Sequence, residues 1–195
     1  TVNLAASADG IFGADNWSKS GLGRVMEGGS IPTYNGRAGA FHFDVKETMS
    51  SIIAFCIEPG AWLDLGSEFE TGTNPLSTSV MGNVDKLFNA AYGKVNDALS
   101  AAAFQVALWE VVGETDGEFD LEDGTHYLKT GGEVTAMGNM FLTEMENAGT
   151  GAYEYTTYVN GGQDQISVNE VPLPASALLL LAGLGGMTAM RRKKS

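Results

Sequence analysis

Cysteine occurs once in the 195 residues, as Cys56 within Phe55-Cys56-Ile57-Glu58. An ionised thiol is a strong nucleophile, and a lone one cannot close an internal disulfide. Four roles stand open for it: a small buried hydrophobe, an intermolecular disulfide partner, a catalytic nucleophile, or half of another crosslink. His42 and His126 are the histidines that would activate it in a cysteine hydrolase, although no third orienting residue or local signature accompanies them. Asp116, Glu118, Asp120, Glu122 and Asp123 form a second cluster with chemical potential. With Asp116 as the first position of a calcium loop, Leu121 falls where Gly is needed and Tyr127 where Glu is needed. A solvated acidic loop is expected there, with no metal and no cofactor.

The elements that would position these groups follow from periodicity. Ala38 to Val45 alternates, with Phe41, Phe43 and Val45 on one side and His42 and Asp44 on the other, the pattern of a half-buried strand. Met49 to Glu58 predicts a second strand, stopped by Pro59-Gly60, with Ile53, Phe55 and Ile57 on one face and Ala54, Cys56 and Glu58 on the other. A polar loop is expected from Gly66 to Ser79. Asn83 is the expected cap of a helix carrying Leu87, Phe88, Ala91, Tyr92 and Val95, and Asn96 that of a second helix reaching Val112, stopped by Gly113. On the second helix Gln105, Leu108 and Trp109 stand at i, i+3 and i+4 and share a face. Val134 to Asn147 predicts a third helix weakened by Gly138, and Tyr153 to Val159 with Gln163 to Val168 predict closing strands around Gly161-Gly162.

Phe55-Cys56-Ile57-Glu58 on a strand, followed by Phe104-Gln105-Val106-Ala107-Leu108-Trp109 on a helix, resembles the thioester-forming domains of bacterial surface adhesins. There an aromatic-Cys-aliphatic motif pairs with a Gln followed by Ala and Trp. Phe104 stands where those domains often have Thr, and the Cys-to-Gln separation is short. The resemblance implies that Cys56 supplies sulfur and Gln105 the acyl group of an internal thioester, formed as the thiolate displaces ammonia. It also implies that Phe55, Phe104 and Trp109 shield the bond from water. A partner's Lys ε-amine would then attack once and leave a permanent amide. Such a protein is not an enzyme, and no catalytic residue is assigned.

The tail reads as an address. Val171-Pro172-Leu173-Pro174-Ala175 is held extended by its prolines. Ala175 to Met190 is uncharged, and Arg191, Arg192, Lys193 and Lys194 follow. As a helix the uncharged run spans roughly 24 Å, a little short of a hydrocarbon core of roughly 30 Å. The basic cluster would stay cytoplasmic and leave everything before Val171 outside. This segment resembles the VPLPA variant of the PEP-CTERM sorting signal. Members of that family are exported proteins of Gram-negative bacteria, recognised at the motif by an exosortase, a membrane-embedded transpeptidase-like enzyme. The resemblance implies an inner-membrane intermediate and a final place on the cell surface or in the extracellular matrix. No basic n-region or apolar h-region follows Thr1, so an export signal is expected to have been removed or to lie outside this chain.

Composition accords with an extracellular body. The net charge is −13, and without the four basic tail residues seven bases face twenty-four acids, or −17. Such a surface excludes charge-driven binding of nucleic acid or anionic lipid. Abundant Gly, at 26 residues, and modest charge favour a loop-rich, β-containing globule over a helical bundle. The expectation is an α+β fold: a β-rich sandwich or barrel-like domain with a helical segment, plus one C-terminal hydrophobic helix. Residues 1–165 form the thioester-domain-like body, 166–174 the linker and sorting motif, 175–190 the membrane helix and 191–195 the basic tail. The partners expected are the exosortase, the inner membrane before processing, and an amine-bearing surface protein or matrix polymer. A non-covalent matrix or biofilm protein is the alternative reading, and an exported cysteine hydrolase the third.

Overall fold

The computed structural model describes residues 1–7, 22–28, 34–115, 117–129 and 132–171. Its strands, in chain order, are β1 (Leu4–Ala6), β2 (Leu22–Gly28), β3 (Tyr34–Ala38), β4 (Phe41–Val45), β5 (Ser50–Cys56), β6 (Glu70–Thr71), β7 (His126–Leu128), β8 (Tyr153–Val159) and β9 (Gln165–Glu170). The helices are α1 (Thr78–Ala91), α2 (Ala98–Gly113) and α3 (Glu133–Glu146). Mixed helix and strand is therefore the class, as the sequence predicts, built on a curled antiparallel sheet that forms a half-barrel. Six strands in the order β1-β4-β5-β9-β8-β6 make that sheet, and β3-β2-β7 make a smaller one.

β5 sits at the heart of the larger sheet. On one edge β4 pairs with it from Val45↔Ser50 to Phe41↔Ala54, and on the other β9 pairs with it from Ala54↔Ser167 to Cys56↔Gln165. Both faces of the sheet are covered. A small cluster of Leu4, Phe43, Val45, Ala54, Phe69 and Tyr158 fills one side. The larger core, between sheet and helices, gathers Phe55, Val84, Phe88, Phe104, Leu108 and Phe141 among others. Cys56 and Phe55 both belong to that larger core, although strict alternation places them on opposite faces. At the end of β5 neither face is left to solvent.

Two helix starts differ from expectation for a local reason. α1 begins at Thr78 because the Ser77 hydroxyl accepts from Val80 N at 3.3 Å, so Ser77 is the cap and Asn83 lies inside the helix. Thr78 and Ser79, expected in the preceding loop, are its first turn. α2 is capped by Asp97, not Asn96: Asp97 Oδ1 accepts from Ser100 N at 2.7 Å while Ser100 Oγ accepts from Asp97 N at 3.1 Å. This reciprocal box satisfies two of the orphan donors of a helix start. α2 is buried on nearly every side, from Ser100 to Val111, so it is the central helix of the body rather than an amphipathic cover. Gly138 is not merely a weak point in α3. A Cβ there would meet Leu121 Cδ1 at 2.4 Å, while the nearest atoms of α2, Ala103 O and Val106 Cγ2, would be at an ordinary 3.4 Å, so glycine makes room for the Leu121 side chain against α3.

β9 extends past the expected domain boundary: residues 166–170 are strand, not linker, and Val171 N still donates to Ala152 O at 2.9 Å. Pro172, Leu173, Pro174, Ala175, the apolar run to Met190 and Arg191 to Lys194 lie outside the described residues, as does Asp116. Among the described residues no helix is long and apolar enough to cross a membrane.

The end of α2 is locked against β7. A Cβ on Gly113 would fall 2.2 Å from His126 Nδ1 and 2.6 Å from Cε1, and that ring is fully buried. Gly113→Ala should therefore lower unfolding stability by about 1–3 kcal/mol in a denaturant titration, because a rigid ring cannot fold away as a flexible chain end does. In a His126→Ala background the same substitution should cost markedly less.

Candidate functional site

β4 stops pairing with β5 at Ala54, yet β5 continues to Cys56. The Cys56 N–H and C=O on that edge therefore need partners other than a strand. Gln105 supplies them. Its Oε1 accepts from Cys56 N at 2.8 Å and its Nε2 donates to Cys56 O at 2.8 Å. A carboxamide presents the same donor and acceptor as a peptide unit, so one side chain from α2 takes the place of the missing strand. Both residues are fully buried. The opposite edge is closed by the main chain of the β9 segment, where Ile57 N donates to Asp164 O at 3.0 Å.

The structure thus brings together the two residues singled out as a pair, 49 positions apart. The three aromatic residues expected around them are there too. Phe55, Phe104 and Trp109 are each at most 1% exposed. The Phe55 and Phe104 rings lie 4.8 Å apart, and Phe88 joins Phe104 at 4.9 Å in an edge-on contact. Phe88 and Tyr92 belong to this aromatic wall but were legible only as helix-face residues, because their partners come from other elements.

Burial pushes the Cys56 thiol up to about 12, and the negative charges of Glu58 and Asp164 push the same way. The Trp109 side chain at the sulfur and the Glu58 backbone N–H act in the opposite direction. At neutral pH the sulfur is consequently a thiol rather than a thiolate. Asp164 itself is 7% exposed. Its carboxyl is raised to about 6, chiefly by burial and further by the charge of Glu58, against a hydrogen bond from Asn160 N at 3.2 Å.

A second amide system lies on the β9 side. Gln165 is the cross-strand partner of Cys56 and is fully buried. Its Nε2 donates to Gln163 Oε1 at 2.9 Å, and Gln163 Nε2 donates to Ala61 O at 3.0 Å. The sequence marks these residues only as a closing strand. Their approach to Cys56 depends on which strand neighbours β5, and hydrophobic period does not report that. The histidines proposed for a hydrolase stand apart from this cluster. His42, on β4, pairs across to Ile53 of β5, and His126 is buried in the other sheet, its Nδ1 3.8 Å from Glu110 Oε2. Neither is among the groups that set the proton affinity of Cys56. In the acidic loop, Asp120 Oδ1 accepts from Glu122 N and from Asn139 Nδ2, both at 2.9 Å, so it ties the loop to α3. Among the described residues no group of three or more His, Cys, Asp or Glu side chains is arranged to hold a metal ion.

Chemically the arrangement holds a carboxamide against the main chain of the cysteine, with its oxygen already hydrogen-bonded. The Cys56 N–H polarises the Gln105 carbonyl and would stabilise negative charge developing on that oxygen during attack at its carbon. Two hydrogen bonds fix the amide plane, removing the orientational freedom that attack on an unrestrained side chain would have to overcome. Water is excluded by the aromatic wall. No family model, curated protein or solved structure matches this chain.

Asp164 gives the site a pH dependence that can be measured. Its carboxyl holds a proton more tightly folded than unfolded, so its contribution to stability is greatest below its ordinary value of 3.8 and is lost as pH rises through about 6. Asp164→Asn removes the buried charge and keeps an acceptor for Asn160 N. The variant should melt higher than the parent at pH 8, by up to about 2 kcal/mol in stability, and the gap should narrow at pH 4.5. Thermal melts at the two pH values check this.

Proposed function

We propose that this chain is an exported, exosortase-sorted protein of the cell surface or extracellular matrix that adheres to its partner covalently, through a thioester between Cys56 and Gln105. The observation that carries the reading is the two-bond clamp between the Gln105 amide and the Cys56 main chain, sealed from water at 0% exposure for both residues. It supports the chemistry because it aligns the acyl group before any bond forms. In the first step the Cys56 sulfur attacks the Gln105 side-chain carbonyl carbon. The C–N bond breaks and ammonia leaves with the thiol proton. The acyl–sulfur bond that remains is electrophilic towards amines, and a Lys ε-amine on a protein or an amine on a matrix polymer converts it to an amide while Cys56 returns to thiol. The acceptor acts once, which suits attachment rather than turnover.

The finer architecture goes with this reading: a β-rich, barrel-like thioester domain that continues through Glu170, then the extended sorting motif, a membrane helix and a basic cytoplasmic tail. An exosortase would take the motif at the inner membrane before release to the surface. The body's strongly acidic balance suits a basic, amine-bearing partner and disfavours nucleic acid.

One observation favours the non-covalent alternative, a structural matrix or biofilm protein. The Gln105 clamp already satisfies two buried backbone groups without any bond to sulfur, and the thiol's proton affinity is high. Intact mass separates the two. The folded chain should be lighter than its calculated mass by one ammonia and should gain one methylamine on incubation with that amine. A Cys56→Ala variant, which keeps the main-chain clamp, should show neither change. Full mass with an alkylatable Cys56 after unfolding would remove the covalent mechanism and leave the matrix reading.

A further inference from the structure

On either side of Cys56 stands a glutamine, and only one has its hydrogen-bonding capacity used. Gln105 meets the main chain with both ends of its amide. Gln165 uses its Nε2, but its Oε1 is buried with no hydrogen-bond partner among the described residues. A buried acceptor left unmatched forfeits its hydration without replacement, which asks for an explanation. Its orientation is not arbitrary. Ala61 O can only accept, so the neighbouring Gln163 must turn its Nε2 to that carbonyl and its Oε1 to Gln165. Gln165 must in turn present Nε2 to Gln163. The relay leaves the Gln165 oxygen as its free end. Directly opposed residues of an antiparallel pair lie on the same face, with Cβ atoms about 5 Å apart. The Cys56↔Gln165 register therefore sets this amide beside the thiol.

Two carboxylates flank the same place. Glu58 is two residues beyond Cys56, and Asp164 precedes Gln165. Both charges act on the sulfur, and that of Glu58, an exposed side chain, acts on Asp164 as well. Hydroxide is repelled by such a pair, whereas an ammonium group is drawn to it.

We propose that Gln165, with Glu58 and Asp164 beside it, forms a receiving site for a primary amine, in which the Gln165 amide oxygen accepts an N–H of the incoming nucleophile. The inference rests on the thioester reading and specifies how its acceptor is chosen. One N–H on Gln165 leaves the nitrogen lone pair free to be turned to the Gln105 acyl carbon. The new N–C bond forms as the C–S bond breaks, and one amine proton ends on the Cys56 sulfur. A tertiary amine has no N–H to offer, and a secondary amine brings an added substituent into a sealed space. Gln165 is thus a positioning and selecting residue for the nucleophile rather than a donor of the acyl group.

The test follows intact mass over time on the full folded chain, with methylamine as the probe, reading only the population that is lighter by one ammonia. Wild type gives the reference rate of amine uptake and the rate of spontaneous hydrolysis. Gln165→Met keeps the side chain's length and removes the acceptor. It should still lose ammonia, and its methylamine uptake should fall about tenfold, the factor for one ordinary hydrogen bond, while hydrolysis changes less. Gln163→Met, which frees the Gln165 amide to turn, should fall in the same direction by a smaller factor. Unchanged uptake, or uptake and hydrolysis falling in parallel, would overturn the assignment. So would a folded Gln165→Met chain that never loses ammonia, because Gln165 would then act in making the bond. If wild type itself carries its full mass, the thioester reading fails first and this one with it, an outcome plainly different from a thioester that ignores Gln165.

Discussion

A sheet strand that outruns its neighbour and is then buried must find partners for its exposed peptide groups, and that requirement at Cys56 organises the body of this protein. β4 leaves β5 at Ala54, and the next inward-facing edge belongs to Cys56. Each unmet peptide group would cost about 1–3 kcal/mol in a dry interior. Gln105 answers both with one side chain, which demands that α2 lie at a particular height and rotation against the end of β5. The features around α2 read as consequences of that demand. Its start is pinned by the Asp97–Ser100 box, and its end is seated on His126 by the absence of a side chain at Gly113. Its far side packs on α3, with Phe104 and Leu108 sharing a core with Phe141 and Leu142. A helix so fixed presents Gln105, and Trp109 one turn on, with little freedom.

The same burial that makes the clamp valuable shapes the chemistry of the sulfur. A dry site with Glu58 and Asp164 nearby keeps the proton on Cys56 and strengthens every hydrogen bond to the Gln105 carbonyl. Those effects pull in opposite directions for acyl transfer. A neutral thiol is a slower nucleophile than a thiolate, and a polarised, immobilised carbonyl is a better electrophile than a free amide. Proton retention has a second consequence: were an acyl–sulfur bond broken here by an amine, a sulfur that captures a proton would be a poor nucleophile for the reverse attack on the new amide, so the proton transfer would commit the exchange. Asp164, with a carboxyl near neutrality, is the adjacent group whose charge responds to pH in the working range.

Much of this was legible in the sequence where the signal is periodic. The alternation at Phe41, Phe43 and Val45, the strand through Phe55 and Cys56, and the helical spacing of Gln105, Leu108 and Trp109 each report local structure directly, and the structure carries all of them. The Cys56 and Gln105 pairing came from motif resemblance, not from period, and geometry bears out their proximity. What the residues did not disclose was set by tertiary context. Ser77 and Asp97 won over Asn83 and Asn96 as caps because a cap is decided by the backbone turn in which a side chain sits, and several polar residues compete for it. The short strands β1, β6 and β7 are two or three residues long and have no period to read. Gln165 was visible only as a polar residue in a closing strand, since its meaning depends on β9 lying next to β5.

That adjacency also ties the end of the described chain to the site. β9 runs from Gln165, opposite Cys56, to Glu170, and Val171 remains hydrogen-bonded to Ala152. Force applied to the chain beyond Val171 therefore enters β9 along its axis. β9 lies between β5 and β8, with register pairs to both, so such a load is shared by ladders on two edges and falls on them in shear rather than opening them one at a time. The strand at the centre of this sheet is thus both the wall of the Cys56 site and the route by which the body is joined to the segment that follows. Separating the two roles would require an extra strand, and the fold instead places the buried glutamine relay at one end of β9 and the exit of the chain at the other.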